Sequence, residues 1–308
     1  MNKVLNLTYI ICSLTLFLSF YTSPILALSS DWVINDKSKV RIISTKKSID
    51  NIDEIILGLE YQMEPGWKTY WKSPGGGGFP QKILWNNSSN IKDISIEWPT
   101  PKEFEILGLT SLGYEDKVIF PLRVKLNNSN KLTLVNLNTN YLVCKDICIP
   151  GNANLFLEIQ PGNGEYSEHF HEIEKIKSNL PIENINLSPL NKLETTIKKY
   201  SDKIEVNIIA ESNASFINTN IFLHTPFGLP IVEPVNNYSF NLNKINSKFT
   251  FNPDQFSKDS FPIEILFYDK NHNFNLIKNV SIEENVSLVN NSILLVFLIS
   301  ILGGFILN

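Results

Sequence analysis

Two cysteines, Cys144 and Cys148, stand in the stretch Tyr-Leu-Val-Cys-Lys-Asp-Ile-Cys-Ile-Pro-Gly, residues 141–151. The chain has 308 residues and only one other cysteine, Cys12, which lies in an N-terminal apolar run. A pair so close in sequence can exchange disulfides, brace the fold or bind a metal. In one extended strand the two Cα atoms would lie roughly 13 Å apart, whereas a disulfide needs about 4.4–6.8 Å. Opposed across a tight hairpin, with Lys145-Asp146-Ile147 as the loop, they can meet. Asp146 suits such a turn. Pro150 cannot donate to a ladder, so the outgoing strand should be short, bulged or at an edge.

Loop-closure entropy weighs against a brace. A ring of about five residues is worth roughly 2 kcal/mol, against nearly 5 kcal/mol for a loop of about 100. A domain of about 130 residues has core enough without it. The pair is better placed to open and close, and redox exchange is the favoured reading. Metal binding would need further ligands. His169 or His171 could join the thiols, but the spacing matches no structural zinc pattern. Met63, the only methionine besides Met1, offers copper(I) little. His169 and His171 read as polar residues of an exposed linker helix, and His224 and His272 as solitary. No histidine adjoins the thiols, so a Cys–His hydrolase has no local support. In exchange, a thiolate attacks a partner's disulfide and the second thiol resolves the mixed disulfide. Lys145 favours the thiolate and Asp146 opposes it. Charges this evenly balanced do not decide which sulfur attacks; Cys148 is chosen as the attacker with Cys144 to resolve, and the chemistry calls for no cofactor.

The ends of the chain point to export and a membrane. Residues 1–29 read as a signal peptide, with Lys3, an apolar run from Ile10 to Phe20, Pro24 and the small-x-small site Ala27-Leu28-Ser29. A retained anchor is the rival, although the run is short for a span. Residues 292–308, SILLVFLISILGGFILN, carry no charge and read as a transmembrane helix. At 1.5 Å per residue they reach roughly 25 Å, short of a ~30 Å hydrocarbon core. No basic flank follows, so the helix is expected to be a truncated piece of a longer membrane protein; a single C-terminal anchor is the alternative. Gly303-Gly304 suits close helix contact. The net charge is −4, falling to −5 when Lys3 is removed, and leaves no basic surface for nucleic acid.

The elements that must hold the thiols are strands. Lys39–Ser44, Glu54–Met63, Ile94–Trp98, Lys117–Leu126, Lys131–Val143 and Asn154–Ile159 are apolar or alternating. Turn chemistry separates them at Pro65-Gly66, Pro74 with Gly75–Gly78, Asn86–Ser89 and Asn127–Asn130. Glu165–Leu180 has helical spacing. The strand pattern returns in Ile204–Ile209, Ala214–His224, Tyr238–Leu242, Lys248–Phe251 and Ile263–Tyr268. The expected fold is mainly β. It comprises a β-sandwich over 30–162, a linker with a short helix over 163–192 and a second, smaller β-sandwich over 193–286. The Gly75–Gly78 run lacks the Lys-Ser/Thr of a phosphate-binding loop and reads as a plain loop.

Three segments carry a resemblance. GWKTYWKSPGGGGFP (66–80), WPTPKEFEILGLTSLGYEDKVIFPL (98–122) and LVCKDICIP (142–150) resemble the exported N-terminal domain of DsbD-type thiol:disulfide interchange proteins. These are inner-membrane protein-disulfide reductases, and the suppressor-of-copper-sensitivity B proteins are relatives with a larger exported portion. The likeness covers residues 32–160. In addition, 292–308 looks like the family's first core transmembrane helix, which normally continues into a Met-Pro-Cys segment. It implies an immunoglobulin-like sandwich facing the periplasm, with Cys144 and Cys148 as redox cysteines. Electrons would come from a membrane redox domain of the same or a longer protein and pass to periplasmic thioredoxin-like oxidoreductases, such as isomerases or cytochrome c maturation factors. The family's cap loop over the disulfide corresponds to Phe104–Gly108, with Ile106-Leu107-Gly108 in place of an aromatic-rich tip. Trp67 and Tyr70 match aromatic positions near the thiols, and core packing is their other reading. Tyr114 is equally a structural aromatic or a contact. The cysteines stand closer together here than in the best-known members, and the family's further membrane and thioredoxin-like parts are not in this sequence. The competing functions are a non-catalytic β-sandwich module with a structural disulfide and a copper-handling protein.

Overall fold

The computed structural model describes residues 28–106, 108–183, 189–225, 232–252 and 260–284. The expected leader, apart from Leu28 and Ser29, and the apolar segment 292–308 lie outside the described residues. Among those described, no helix is long and apolar enough to cross a membrane.

The architecture is mainly β. Numbering strands along the chain, a five-stranded antiparallel sheet runs β1 (Val33–Asn35), β2 (Ser38–Ser44), β3 (Glu54–Met63), β9 (Lys117–Leu126) and β6 (Ile91–Ile96). Facing it, a second sheet runs β11 (Cys148–Ile159), β10 (Thr133–Cys144), β4 (Lys68–Gly75), β8 (Leu109–Glu115) and β7 (Lys102–Ile106), with β5 (Lys82–Leu84) attached to β10. Period-2 alternation makes the pair a sandwich. Along β11, Ala153, Leu155, Leu157 and Ile159 are buried while Asn152, Asn154, Phe156 and Glu158 face out. The inward residues join Val40, Ile42, Leu57, Leu59, Val135 and Leu137 in one core. Tyr61, Tyr114 and Trp98 meet Phe120 edge-on in that core.

A third sheet runs β14 (Asn220–His224), β17 (Ser260–Tyr268), β18 (Asn273–Glu284), β12 (Leu190–Lys199), β13 (Ile204–Ser212), β16 (Lys244–Phe251) and β15 (Val232–Tyr238). Strand β18 pairs with β17 over Asn273–Ser281 and with β12 only from Ile282 onward, so it bridges two halves. The inward positions of β13, Ile204, Val206 and Ile208, share a single apolar cluster with Ile263, Ile265 and Phe267 of β17. The sheet therefore folds over onto itself as a second sandwich.

Several elements differ from the expectation. The helix, α1 (Phe170–Lys177), is shorter than Glu165–Leu180 and seals Ile173 against Ile43 and Ile119 on the outer face of the first sheet. That extra cover explains why Ile42 and Ile43, on opposite faces of β2, are both fully buried. His169 is buried at the start of α1, not exposed, and burial lowers its pKa. Pro74 and Gly75 lie within β4. Tyr238–Leu242 is not a strand: Leu242 has φ 57° in a turn whose N–H returns to the Ser239 carbonyl at 3.0 Å, and the strand precedes it as β15. Asparagines at 241 and 243 favour that turn. Pro234 fits β15 because β15 is an edge strand.

Glu60 ties α1 to the sandwich. It is 2 % exposed and meets Arg41 Nε at 2.7 Å and Lys117 Nζ at 2.8 Å; Lys117 reaches on to Glu172 of α1 at 2.7 Å. Burial alone would raise its pKa, but the hydrogen bonds and charges of Lys117 and Arg41 outweigh burial and hold it below the ordinary value of 4.5. A depressed carboxyl contributes stability above its unfolded pKa and loses it as pH falls through the folded one. Glu60→Gln should therefore lower stability at pH 7 by about 1–3 kcal/mol. In urea melts the gap between parent and variant should narrow as pH drops below the ordinary carboxylate range. A gap that stays constant would contradict this assignment.

Candidate redox site

The cysteines close a ladder. Strands β10 and β11 pair in unbroken register from Thr133↔Ile159 to Cys144↔Cys148, and Lys145-Asp146-Ile147 forms the loop, with the Lys145 N–H on the Ile147 carbonyl at 3.0 Å. Cys144 and Cys148 are disulfide-bonded, with Cα atoms 4.1 Å apart. Strand β11 is a sheet edge, which admits Pro150 opposite Leu142 without loss of an interior ladder bond. Gly151 is required for a different reason. A Cβ there would sit 2.3 Å from the Tyr141 ring, whose hydroxyl oxygen lies 2.9 Å from Ser38 Oγ.

Burial changes character as β10 approaches the bridge. From Thr133 to Thr139 alternate residues are buried, but Tyr141, Leu142, Val143 and Cys144 are all buried. Tyr141 and Val143 face the sandwich core, whereas Leu142 and Cys144 join Tyr70, Ile106 and Phe104 in a separate small cluster. That second cover is the hairpin β7–β8, whose strands pair from Lys102↔Gly113 to Ile106↔Leu109. Cys144 is thus fully buried, while Cys148 is exposed.

Tyr70 meets the sulfurs directly. Its hydroxyl donates to Cys144 Sγ at 3.0 Å and lies 4.0 Å from Cys148 Sγ. Burial raises the Tyr70 pKa, so the hydroxyl keeps its proton. Phe104 flanks the ring at 6.3 Å between centroids. On another side runs the glycine loop: a Cβ on Gly78 would lie 2.3 Å from Tyr70 Cζ, and Gly78 has φ +91°. Gly78 thus serves close approach to an aromatic ring. Lys68 stands over Phe104 at 5.7 Å and pairs with Glu115 at 3.0 Å.

The other candidates fall in various places. Ile106 is buried in the small cluster. Gly108 takes φ +76° at the tip of the hairpin, with open space around it. Leu107 lies outside the described residues. Trp67 is in the main core and Tyr114 is buried there too, with its hydroxyl on the Pro99 carbonyl at 2.6 Å; both pack. The Lys145 ammonium donates to the Pro65 carbonyl at 3.3 Å. Three segments around the bridge expose an apolar side chain: Ile147 (60 %), Leu109 (48 %) and Phe79 (38 %). Sequence reasoning gives Gly78 no role beyond a plain loop and passes over Phe79; the glycine run beside an aromatic pair is the signal available.

Other polar clusters do not compete. His272 is not solitary: its Nδ1 lies 2.8 Å from Asp269 Oδ1 and its Nε2 3.1 Å from Ser212 Oγ. This has hydrolase-triad connectivity, but His272 and Asp269 are sealed and the Ser212 hydroxyl donates to the Pro189 carbonyl at 3.1 Å. No substrate can reach it. A cleft of about 600 Å³ lies where the sandwiches meet, lined by residues including Trp98, Arg123, Pro181 and Asn275, and neither cysteine borders it. Among the described residues no three His, Cys, Asp or Glu side chains converge as a metal site.

A hydrogen bond to a thiolate stabilises the charged form and makes that sulfur a better leaving group. Tyr70→Phe should therefore shift the glutathione equilibrium of the pair toward the disulfide by about tenfold, the size expected for one charge-assisted hydrogen bond. An unchanged equilibrium would show that the hydroxyl does not act on the sulfur.

Residues 39–160 match the family described as "Thiol:disulfide interchange protein DsbD, N-terminal". No curated protein sequence matches the chain. Among solved structures, the N-terminal periplasmic domain of ScsB from Proteus mirabilis superposes at TM-score 0.63 with 19 % identity, covering 83 % of this chain and 99 % of that one. At this identity the likeness is one of fold. A titin tandem of Ig domains A164-A165 aligns at TM-score 0.21 and 8 % identity over 80 % of this chain and 99 % of that one, too weakly to carry weight. The match and the paired cysteines fit thiol–disulfide exchange in general: residues 39–160 are an N-terminal domain of the DsbD type.

Proposed function

We propose that this chain relays electrons through Cys144 and Cys148, on the periplasmic face of a bacterial inner membrane, to exported thioredoxin-like oxidoreductases. The electrons come from a membrane redox domain of the same or a longer protein, with the segment 292–308 as the membrane attachment. One observation carries the reading: the bridge closes only a five-residue ring, with one cysteine exposed and the other buried under a tyrosine hydroxyl.

The step follows from that asymmetry. An incoming thiolate from the reduced donor attacks Cys148 Sγ, the exposed side of the bond. The Cys144–Cys148 bond breaks, its electron pair leaves on Cys144 Sγ, and Tyr70 donates its hydrogen bond to the nascent thiolate. The donor's second thiol attacks the mixed disulfide and frees Cys148. The donor is now oxidised, and the pair holds two electrons as a dithiol. Delivery runs in reverse: the Cys148 thiolate attacks the acceptor's disulfide, and Cys144 resolves the intermediate. Phe104 and Ile106 cover Cys144, which suits a cap role for the hairpin β7–β8. Periplasmic placement is supported by the family match and by the description of the ScsB domain.

Single-cysteine variants separate the roles. Cys144→Ser, incubated with an oxidised thioredoxin-like protein, should accumulate a mixed disulfide through Cys148, seen as a band that reductant removes. Cys148→Ser should accumulate little, because its remaining thiol is buried. Equal trapping by both variants, or by neither, would contradict the assignment.

A further inference from the structure

We propose that the second sandwich is a positioning element for the redox centre, acting through β4; this rests on the exchange reading above. Strand β4 carries Tyr70, yet its own sheet holds it weakly just beyond that residue. It pairs with β8 at Lys68, Thr69 and Tyr70, then the register breaks and resumes only at Gly75. Its pairing with β10 is confined to Lys68 and Thr69. The second sandwich grips the residues in that break. Trp71, 2 % exposed, lies 6.1 Å from Phe222 and 6.5 Å from His224 between ring centroids, both on β14. Lys72 pairs with Glu264 of β17, and the Glu264 oxygen it meets also accepts from Asn275 of β18. Ser73 Oγ lies 3.5 Å from the Leu223 carbonyl.

These contacts are built into the cores. Phe222 and Leu266 of the second sandwich belong to the same apolar cluster as Trp71 and the first sandwich's core. Lys72 and Glu264 are 17 % and 16 % exposed, so removing either charge strands the other in a largely dry setting. Adjacent residues of a strand point to opposite faces, so Trp71 turns away from Tyr70. Tyr70 reaches the sulfurs while Trp71, and Lys72 beyond it in the register break, are clamped by β14 and β17. The hydroxyl's 3.0 Å contact with Cys144 leaves little tolerance: a shift of about 1 Å removes a hydrogen bond. Releasing the clamp lets Tyr70 drift from Cys144, and the buried sulfur becomes a poorer leaving group.

The test uses the full chain and reads the rate at which dithiothreitol opens the Cys144–Cys148 bridge, together with its glutathione equilibrium. Lys72→Glu should slow opening and shift the equilibrium toward the disulfide by about tenfold, as Tyr70→Phe does. The two changes combined should cost no more than either alone, since they act through one contact. The charge swap Lys72→Glu with Glu264→Lys should return both readouts to within about twofold of the parent, an outcome general damage to the fold does not give. Glu264→Gln, a milder break, should shift both readouts the same way if Lys72→Glu fails to fold. Folded single variants with parental rate and equilibrium, or multiplicative effects of Lys72→Glu and Tyr70→Phe, would overturn the inference and leave the exchange reading standing. A parent bridge that resists dithiothreitol would overturn both.

Discussion

The site depends on one geometric constraint: in β-structure, two residues four apart can share a disulfide only where the chain reverses on itself in register. Strands β10 and β11 meet that constraint through twelve consecutive paired positions ending at Cys144↔Cys148. The bridge adds little to a ladder already fixed over that length, because a ring of about five residues removes little unfolded-chain entropy. What the ladder fixes is the asymmetry, with Cys144 under the β7–β8 hairpin and Cys148 on the rim.

A second constraint concerns cover. Interior burial of Cys144 requires an apolar lid, and the lid must be separable from the core if a partner is to reach the sulfur. Tyr70, Ile106, Leu142 and Cys144 form their own cluster, apart from the main one, as the proposed cap role requires. The same strand that carries Tyr70 also faces the second sandwich through Trp71 and Lys72. The order of side chains along β4 thus places the redox centre and the interdomain contact within three residues of each other.

Much of this is legible in the sequence. Glu54–Met63 and Lys117–Leu126 carry an apolar residue at every second position and form strands with the expected bounds. The hairpin across Lys145–Ile147 follows from disulfide geometry once the cysteines are taken as paired, and of the short, bulged or edge strand that Pro150 implies, the edge is the one found. The hairpin β7–β8 does not read as strands, because Lys-Glu-Phe-Glu-Ile is mostly charged and its apolar members cover Cys144, not the main core. Strand β4 is hidden by Pro74 and Gly75, normally turn residues, which it tolerates where its register breaks. Tyr70 is placed near the thiols only by the family resemblance; its hydrogen bond depends on Gly78, and no local pattern announces that contact. Ile42 and Ile43 look like a lapse in alternation; the cause is α1 on the outer face, a tertiary effect. Of the buried partners of His272, Asp269 lies three residues away in the β17–β18 turn, whereas Ser212 comes from the end of β13, 60 residues off.

The most direct measurement of the central claim is the reduction potential of the Cys144–Cys148 pair in the unaltered chain, equilibrated against graded glutathione buffers and read by thiol alkylation. Exchangeable pairs open in the range from about −120 to −280 mV, whereas bridges that serve structure lie below about −300 mV. A relay requires a value in the upper range. A pair that stays closed throughout the glutathione series would mark a structural bridge and contradict the account.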